Sequence, residues 1–138
     1  MIKAELDRQL MIHLKDTAGT LAEVLSVVSS SGINILALCA YAVGGMVAIM
    51  FVTEDNNEAK NLLEKKGFDV QEEEVVLLTL SNKPGALQSV TDKIAEAGID
   101  LSLMYGSADP EAHHSPIVMI SRNNLDVLML IRTELERI

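Results

Sequence analysis

The feature that most constrains this chain is that it is written twice. The stretch Asp16-Thr17-Ala18-Gly19-Thr20-Leu21 follows a short apolar run, Leu10 to Leu14, and returns as Asn82-Lys83-Pro84-Gly85-Ala86-Leu87. Gly19 and Gly85 stand 66 positions apart. At that spacing, without a gap, Leu14 falls on Leu80, Leu21 on Leu87, Val24 on Val90, Val28 on Ile94, Gly32 on Gly98, Ile33 on Ile99 and Asn34 on Asp100. Self-similarity of this kind marks one structural unit used twice. With 138 residues in all, each copy alone has a marginal core. The copies are therefore expected to pack against each other or against another chain.

Each copy reads as a strand, a glycine turn, an amphipathic helix and a second strand. Leu21, Val24, Leu25 and Val28 form the i, i+3, i+4, i+7 stripe of the first helix, and Gly32 suits its C-terminal end. Leu87, Val90, Ile94 and Ala97 form the matching stripe, closed by Gly98. Thr17 and Thr20 are candidate caps. Ile33 to Val43 and Met46 to Thr53 read as strands joined at Gly44-Gly45, a hairpin signal. Asp55-Asn56-Asn57 caps a helix over 58–66, and Asn123-Asn124 caps a last one running to about Glu136. Residues 69–74 read as a fourth strand that runs without a break into 75–80, the first strand of copy two.

The order strand-helix-strand-strand-helix-strand is the split βαβ, or ferredoxin-like, pattern. The expected fold class is α+β: two βαββαβ repeats, 1–74 and 75–138, each an antiparallel sheet with helices on one face. The second copy lacks a clear last strand. The sheet edge left there is one that residues 1–8 or a second chain would fill. Val127 to Ile131 is apolar all round, so the last helix is expected to be covered on more than one side, as at a subunit interface.

Composition excludes several classes of function. The net charge is −9 with only 11 Lys and Arg, so no basic surface for nucleic acid is expected. A single Cys, Cys39, rules out an intramolecular disulfide framework and a cysteine-rich zinc site; among Leu38 and Ala40 it reads as a buried structural thiol. Trp is absent and there are two Phe and two Tyr, so the core must be aliphatic. The N-terminus has no apolar signal region. The uncharged run from Ile33 to Val52 is long enough for a membrane span, but its central Gly44-Gly45 favours two buried strands. A soluble cytoplasmic protein without membrane contact is expected.

Taken with Gly32-Ile33-Asn34 and Gly98-Ile99-Asp100, the two turns resemble the ACT domain, a small-molecule regulatory module. The motif runs Asp or Asn, a variable residue, Pro, Gly, a variable residue, Leu, and then Gly-Ile-Asn/Asp about a dozen residues on. Copy two matches it with Asn82, Pro84, Gly85 and Leu87; copy one has Ala18 in place of Pro. The resemblance covers almost the whole chain and implies a free-standing, non-catalytic tandem ACT protein that binds an amino acid at the seam between paired domains. Carried over by position, the turns formed by Thr17, Ala18, Gly19 and Thr20, and by Lys83, Pro84, Gly85 and Ala86, would surround the ligand carboxylate with their backbone amides. Asn34 and Asp100 would face its amine or side chain. Asp16 and Asn82 would shape the turn or touch the ligand. A homodimer is the expected assembly and no cofactor is expected; the alternative is a regulatory or assembly subunit that acts on a regulated enzyme through protein contacts without a ligand, with the apolar last helix as its contact surface. Some members of the family serve only as assembly modules.

Two rival readings are weaker. Catalysis needs a nucleophile, base or metal with an orienting partner, and His13, His113 and His114 form no such set. Asp109, Glu111, His113 and His114 include metal-ligand types, but their spacing matches no zinc pattern and a polar hairpin loop accounts for them. No metal is expected.

Overall fold

The computed structural model describes residues 2–15, 18–106 and 111–136. Its elements are β1 (Ile2–Lys15), α1 (Thr20–Ser30), β2 (Ile35–Val43), β3 (Met46–Thr53), α2 (Asn56–Lys65), β4 (Gln71–Ser81), α3 (Ala86–Glu96), β5 (Leu101–Gly106), β6 (His114–Ser121) and α4 (Asn124–Glu134). They divide into two compact units. One is Arg8–Glu73; the other joins Met1–Asp7 to Glu74–Ile138.

In the Arg8–Glu73 unit the strands lie in the order β2-β3-β1-β4. β1 pairs antiparallel with β3 from Leu10↔Phe51 to Lys15↔Met46. β2 and β3 form the expected hairpin, closing at Val43↔Met46. Gly44 and Gly45 have φ of 60° and 78°, the two positive values that a type I′ turn needs. The apolar stripes of α1 and α2 bring Val24, Val28, Ala59 and Leu63 onto Leu10, Ile12, Ile49 and Phe51, all fully buried. β3 is buried along nearly its whole length. β2 is not the buried strand its composition predicts: it lies at the edge, with Leu38, Tyr41 and Val43 exposed and Cys39 half-buried. The acidic run on β4 is also less solvated than its charge implies. Glu72 pairs with Lys60 at 3.4 Å and Arg8 at 3.8 Å, and Glu73 accepts from Gln9 Nε2 at 2.8 Å.

In the other unit the order is β5-β6-β4-β1, with residues 2–7 supplying the β1 portion. The sheet edge that the sequence leaves open is therefore filled by the N-terminal residues. β1 runs unbroken from Ile2 to Lys15, and its residues 2–7 group with the second repeat while Arg8 onward groups with the first. Ala4 is buried in the core beside Val76, Leu78, Val90, Ile94, Met119, Val127 and Ile131. The outer edge of this short strand is not left bare. The Ala4 amide donates to Glu136 Oε1, and Arg132 donates to the Ala4 carbonyl from the end of α4. The helix packs one face inward, with Val127, Leu128 and Ile131 buried. Leu125 and Met129 stay exposed at 55% and 52%, so the described residues do not supply the cover expected on a second side.

Both units repeat a clamp that local sequence does not announce. Asn56 Oδ1 accepts from the Thr53 amide and hydroxyl at 2.9 and 2.8 Å, and its Nδ2 donates to the Arg8 carbonyl at 2.7 Å. Asn124 does the same with Ser121, at 2.8 and 3.4 Å, and with the Glu74 carbonyl at 3.1 Å. Asp55 and Asn123, the preceding residues, cap α2 and α4 at 3.1 Å, as predicted.

Candidate functional site

Each unit enters its first helix through a glycine in the left-handed region, Gly19 at φ 88° and Gly85 at φ 85°. A side chain there costs roughly 1–2 kcal/mol of backbone strain. A Cβ built at either position meets nothing within 4 Å, so conformation and not crowding requires the glycine. Neither helix has a side-chain cap: Thr20 is the first residue of α1, not its cap. The first amides of each helix have no intrahelical partner and lie at the positive end of the dipole.

The turn before α3 is fully described. Asn82 shapes it, donating from its amide to the His113 carbonyl at 2.9 Å and from Nδ2 to the Ala112 carbonyl at 3.3 Å. The Lys83 amide donates to the Ser81 carbonyl and the Ala86 amide to the Lys83 carbonyl, at 2.9 and 3.3 Å. Pro84 has no amide. The donors that this leaves to a ligand are Gly85 and the first-turn amides of Leu87 and Gln88. Two hollows meet here. One of about 280 Å³ is lined by Ile2, Ser81, Lys83, Pro84, Gly85, Ala86 and Ser89. The other, about 140 Å³, has Leu80, Asn82, Leu87, Ser115 and Ile117 in its walls beside the shared Ser81, Lys83 and Ala86. The Lys83 ammonium adds positive charge to the helix N-terminus, which suits a carboxylate.

Of the turn before α1, Ala18 and Gly19 are exposed and Thr20 is half-buried; Asp16 and Thr17 lie outside the described residues. A larger groove of about 760 Å³ runs between α1 and α2, lined by Glu23, Ser26, Val27, Ser30, Ser31, Leu62, Lys65 and Lys66. It contains none of the residues singled out from the sequence.

Asn34 and Asp100 do not join the turns of their own units. Asn34 precedes β2, whose Ile35 pairs with Thr53, whereas the turn follows Lys15, which pairs with Met46. The seven steps of β3 between those two ends span roughly 23 Å. Asp100 is likewise separated from Asn82, because Leu101 pairs with Ser121 and Ser81 with His114. Asn34 instead holds Glu54, by its carbonyl at 3.0 Å and its Nδ2 at 3.4 Å. Within each unit the turn and the Asn or Asp that leads into the next strand therefore stand at opposite ends of the strands. Of the acidic and histidine loop, Asp109 lies outside the described residues, and Glu111, His113 and His114 are exposed. Among the described residues no three His, Cys, Asp or Glu side chains converge as metal ligands would.

Sequence reasoning missed Ser115, which lines the smaller hollow. The signal was available: β6 and β3 align at a spacing of 68, not 66, so that Ile117, Met119 and Ser121 match Ile49, Phe51 and Thr53. On that alignment Ser115 is a polar residue at a core-facing position.

Fold and turns together define a tandem ferredoxin-like protein with a glycine-gated helix N-terminus in each half. A family model described as an ACT domain pair matches residues 2–124, and the chain belongs to that family. A crystal structure of a Bacteroides thetaiotaomicron protein is similar at 26% identity and a TM-score of 0.85, over 95% of this chain and 90% of that one. The ligand-free regulatory subunit of aspartate kinase from Thermus thermophilus has the same fold at 13% identity and a TM-score of 0.65, over 96% of each chain. The corresponding subunit from Thermus flavus matches at 15% identity and 0.59, over 96% and 95%. No curated protein sequence matches the chain. Among the described residues no helix is long and apolar enough to cross a membrane.

Proposed function

We propose that this protein is a non-catalytic regulatory ACT pair that binds a small amino acid at the turn before α3, with Lys83 to Gln88 around the carboxylate. The observation that carries this reading is the pair of adjoining hollows at the turn before α3, beside a helix start whose first amides have no intrahelical partner and no side-chain cap. The fold shared with regulatory subunits of aspartate kinase supports a regulatory role. The equivalent turn at Ala18 to Thr20, with Asp16 and Thr17, is the second candidate site. Asn34 and Asp100 each stand about a strand length from the turn of their own unit, and pairing with a second copy of the chain would bring them to a ligand. A homodimer is the assembly that this requires, and a change in assembly, or in affinity for a regulated enzyme, is the output.

The alternative is an assembly module without a ligand. The apolar residues exposed on β2 and β3, Leu38, Tyr41, Val43 and Met46, favour it as a protein-contact edge.

Thermal unfolding against each of the twenty amino acids at millimolar concentration separates the two. A ligand at about a hundred times its Kd adds roughly 2.7 kcal/mol, a shift of several degrees for a domain of this size. One amino acid is expected to give that shift, and Gly85→Asp to abolish it. No shift with any of them would leave the assembly module.

A further inference from the structure

Ser115, the second residue of β6, lies directly opposite Leu80 of β4, a member of the core beneath α3 and α4. It is 7% exposed and lines the 140 Å³ hollow under the turn. Its Oγ is buried and makes no hydrogen bond among the described residues. A hydroxyl in that state is a standing cost to the fold, because it has given up water without replacing it.

The other unit shows that packing does not need this hydroxyl. There Leu14 of β1 stands where Leu80 does, and its partner on β3 is Val47. Val47 is buried in its own core and carries no polar atom. Valine also suits a strand better than serine does. One unit thus fills the place below its turn with an apolar side chain, while the other keeps a buried, unpaired hydroxyl on a residue that lines a hollow. The remaining walls are the apolar Leu80, Ala86, Leu87 and Ile117 with Ser81, Asn82 and Lys83 at the mouth.

We propose that Ser115 is a specificity-determining residue, and that the unit containing residues 74–136 is the one that takes ligand. The inference rests on the amino-acid reading above. With the carboxylate on the α3 amides, Ser115 Oγ hydrogen-bonds a polar atom on the ligand's side chain, and the apolar walls enclose the rest. The ligand class is a small amino acid whose short, otherwise aliphatic side chain bears one hydrogen-bonding group. A site built around such a group rejects the isostere that lacks it, because the protein's own polar atom is then left unpaired.

The test is calorimetric titration of the whole protein with L-threonine, L-valine, L-serine and L-alanine. It compares wild type, Ser115→Ala, Ser115→Val, Gly85→Asp and Gly19→Asp, and adds the Tm of each unliganded form. Wild type should bind the hydroxyl member of one pair at least tenfold tighter than its isostere. Ser115→Ala and Ser115→Val should lose about tenfold and with it the preference, about what one hydrogen bond supplies. Both should unfold no lower than wild type, and Gly19→Asp should leave binding intact. An unchanged preference in both Ser115 variants overturns the role of Ser115 while leaving the amino-acid reading in place. So does a lower Tm of both unliganded Ser115 variants, which would make the hydroxyl part of the fold. Binding lost in Gly19→Asp but kept in Gly85→Asp overturns the choice of unit. Failure of all four to bind wild type overturns the role of Ser115, and failure of all twenty in the thermal unfolding screen sinks the amino-acid reading with it.

Discussion

Arg132 holds the carbonyl of Ala4 through Nε at 3.3 Å and Nη2 at 3.2 Å, across 128 positions of sequence. With the Ala4 amide given to Glu136, both backbone groups of this buried residue are satisfied by side chains at the end of α4. Arg132→Ala removes the donors and leaves the carbonyl unpaired, which should cost about 1–2 kcal/mol. Removing residues 2–7 should cost more, since Ile2 and Ala4 also leave the core. Urea unfolding of the three proteins checks this, with the order wild type, Arg132→Ala, deletion expected.

Gly85 and Gly19 are predicted to tolerate substitution according to backbone preference alone. Gly85→Ala should lose about 1–2 kcal/mol, the cost of a left-handed alanine. Gly85→Asn should lose less, because asparagine visits that region more readily. The free space around each glycine means no added clash. Equal losses for Ala and Asn in thermal unfolding would point to a crowding effect instead.

The asparagine clamps should be among the costlier polar positions. Asn124 is buried and ties Ser121 to the Glu74 carbonyl, so Asn124→Ala is expected to lose about 1–3 kcal/mol. Asn56→Ala should lose a similar amount in its own unit. Asp55→Ala and Asn123→Ala, which remove only a helix cap, should each cost about 1 kcal/mol. Chemical denaturation of the four variants ranks them.

Helix α4 should show two faces. Ile131 is fully buried, and Ile131→Ala should cost about 2–5 kcal/mol. Met129→Ala is expected to change stability by less than about 0.5 kcal/mol, as an exposed position does. Sedimentation should find a dimer, and Met129→Asp should shift it toward monomer if the exposed Leu125 and Met129 form the contact.

Local chemistry accounts for most of what the sequence determined. The two amphipathic stripes, the Gly44-Gly45 hairpin, the caps at Asp55 and Asn123 and the two glycine turns each depend on residues a few positions apart, and the repeat shows as the recurrence of such local patterns. Periodicity and dihedral preference act over that range, so these features are legible in the order of the residues itself. What only the tertiary structure decided involves residues brought together by pairing between distant strands. β1 contributes to both units, and its residues 2–7 pair at the edge where a final strand of the second repeat would lie. Asn34 and Asp100 are set a strand length from the turns because antiparallel strands begin and end at opposite sides of a sheet. Ser115 lies under the α3 turn because the register of β4 with β6 sets it opposite Leu80, a relation that no local pattern contains.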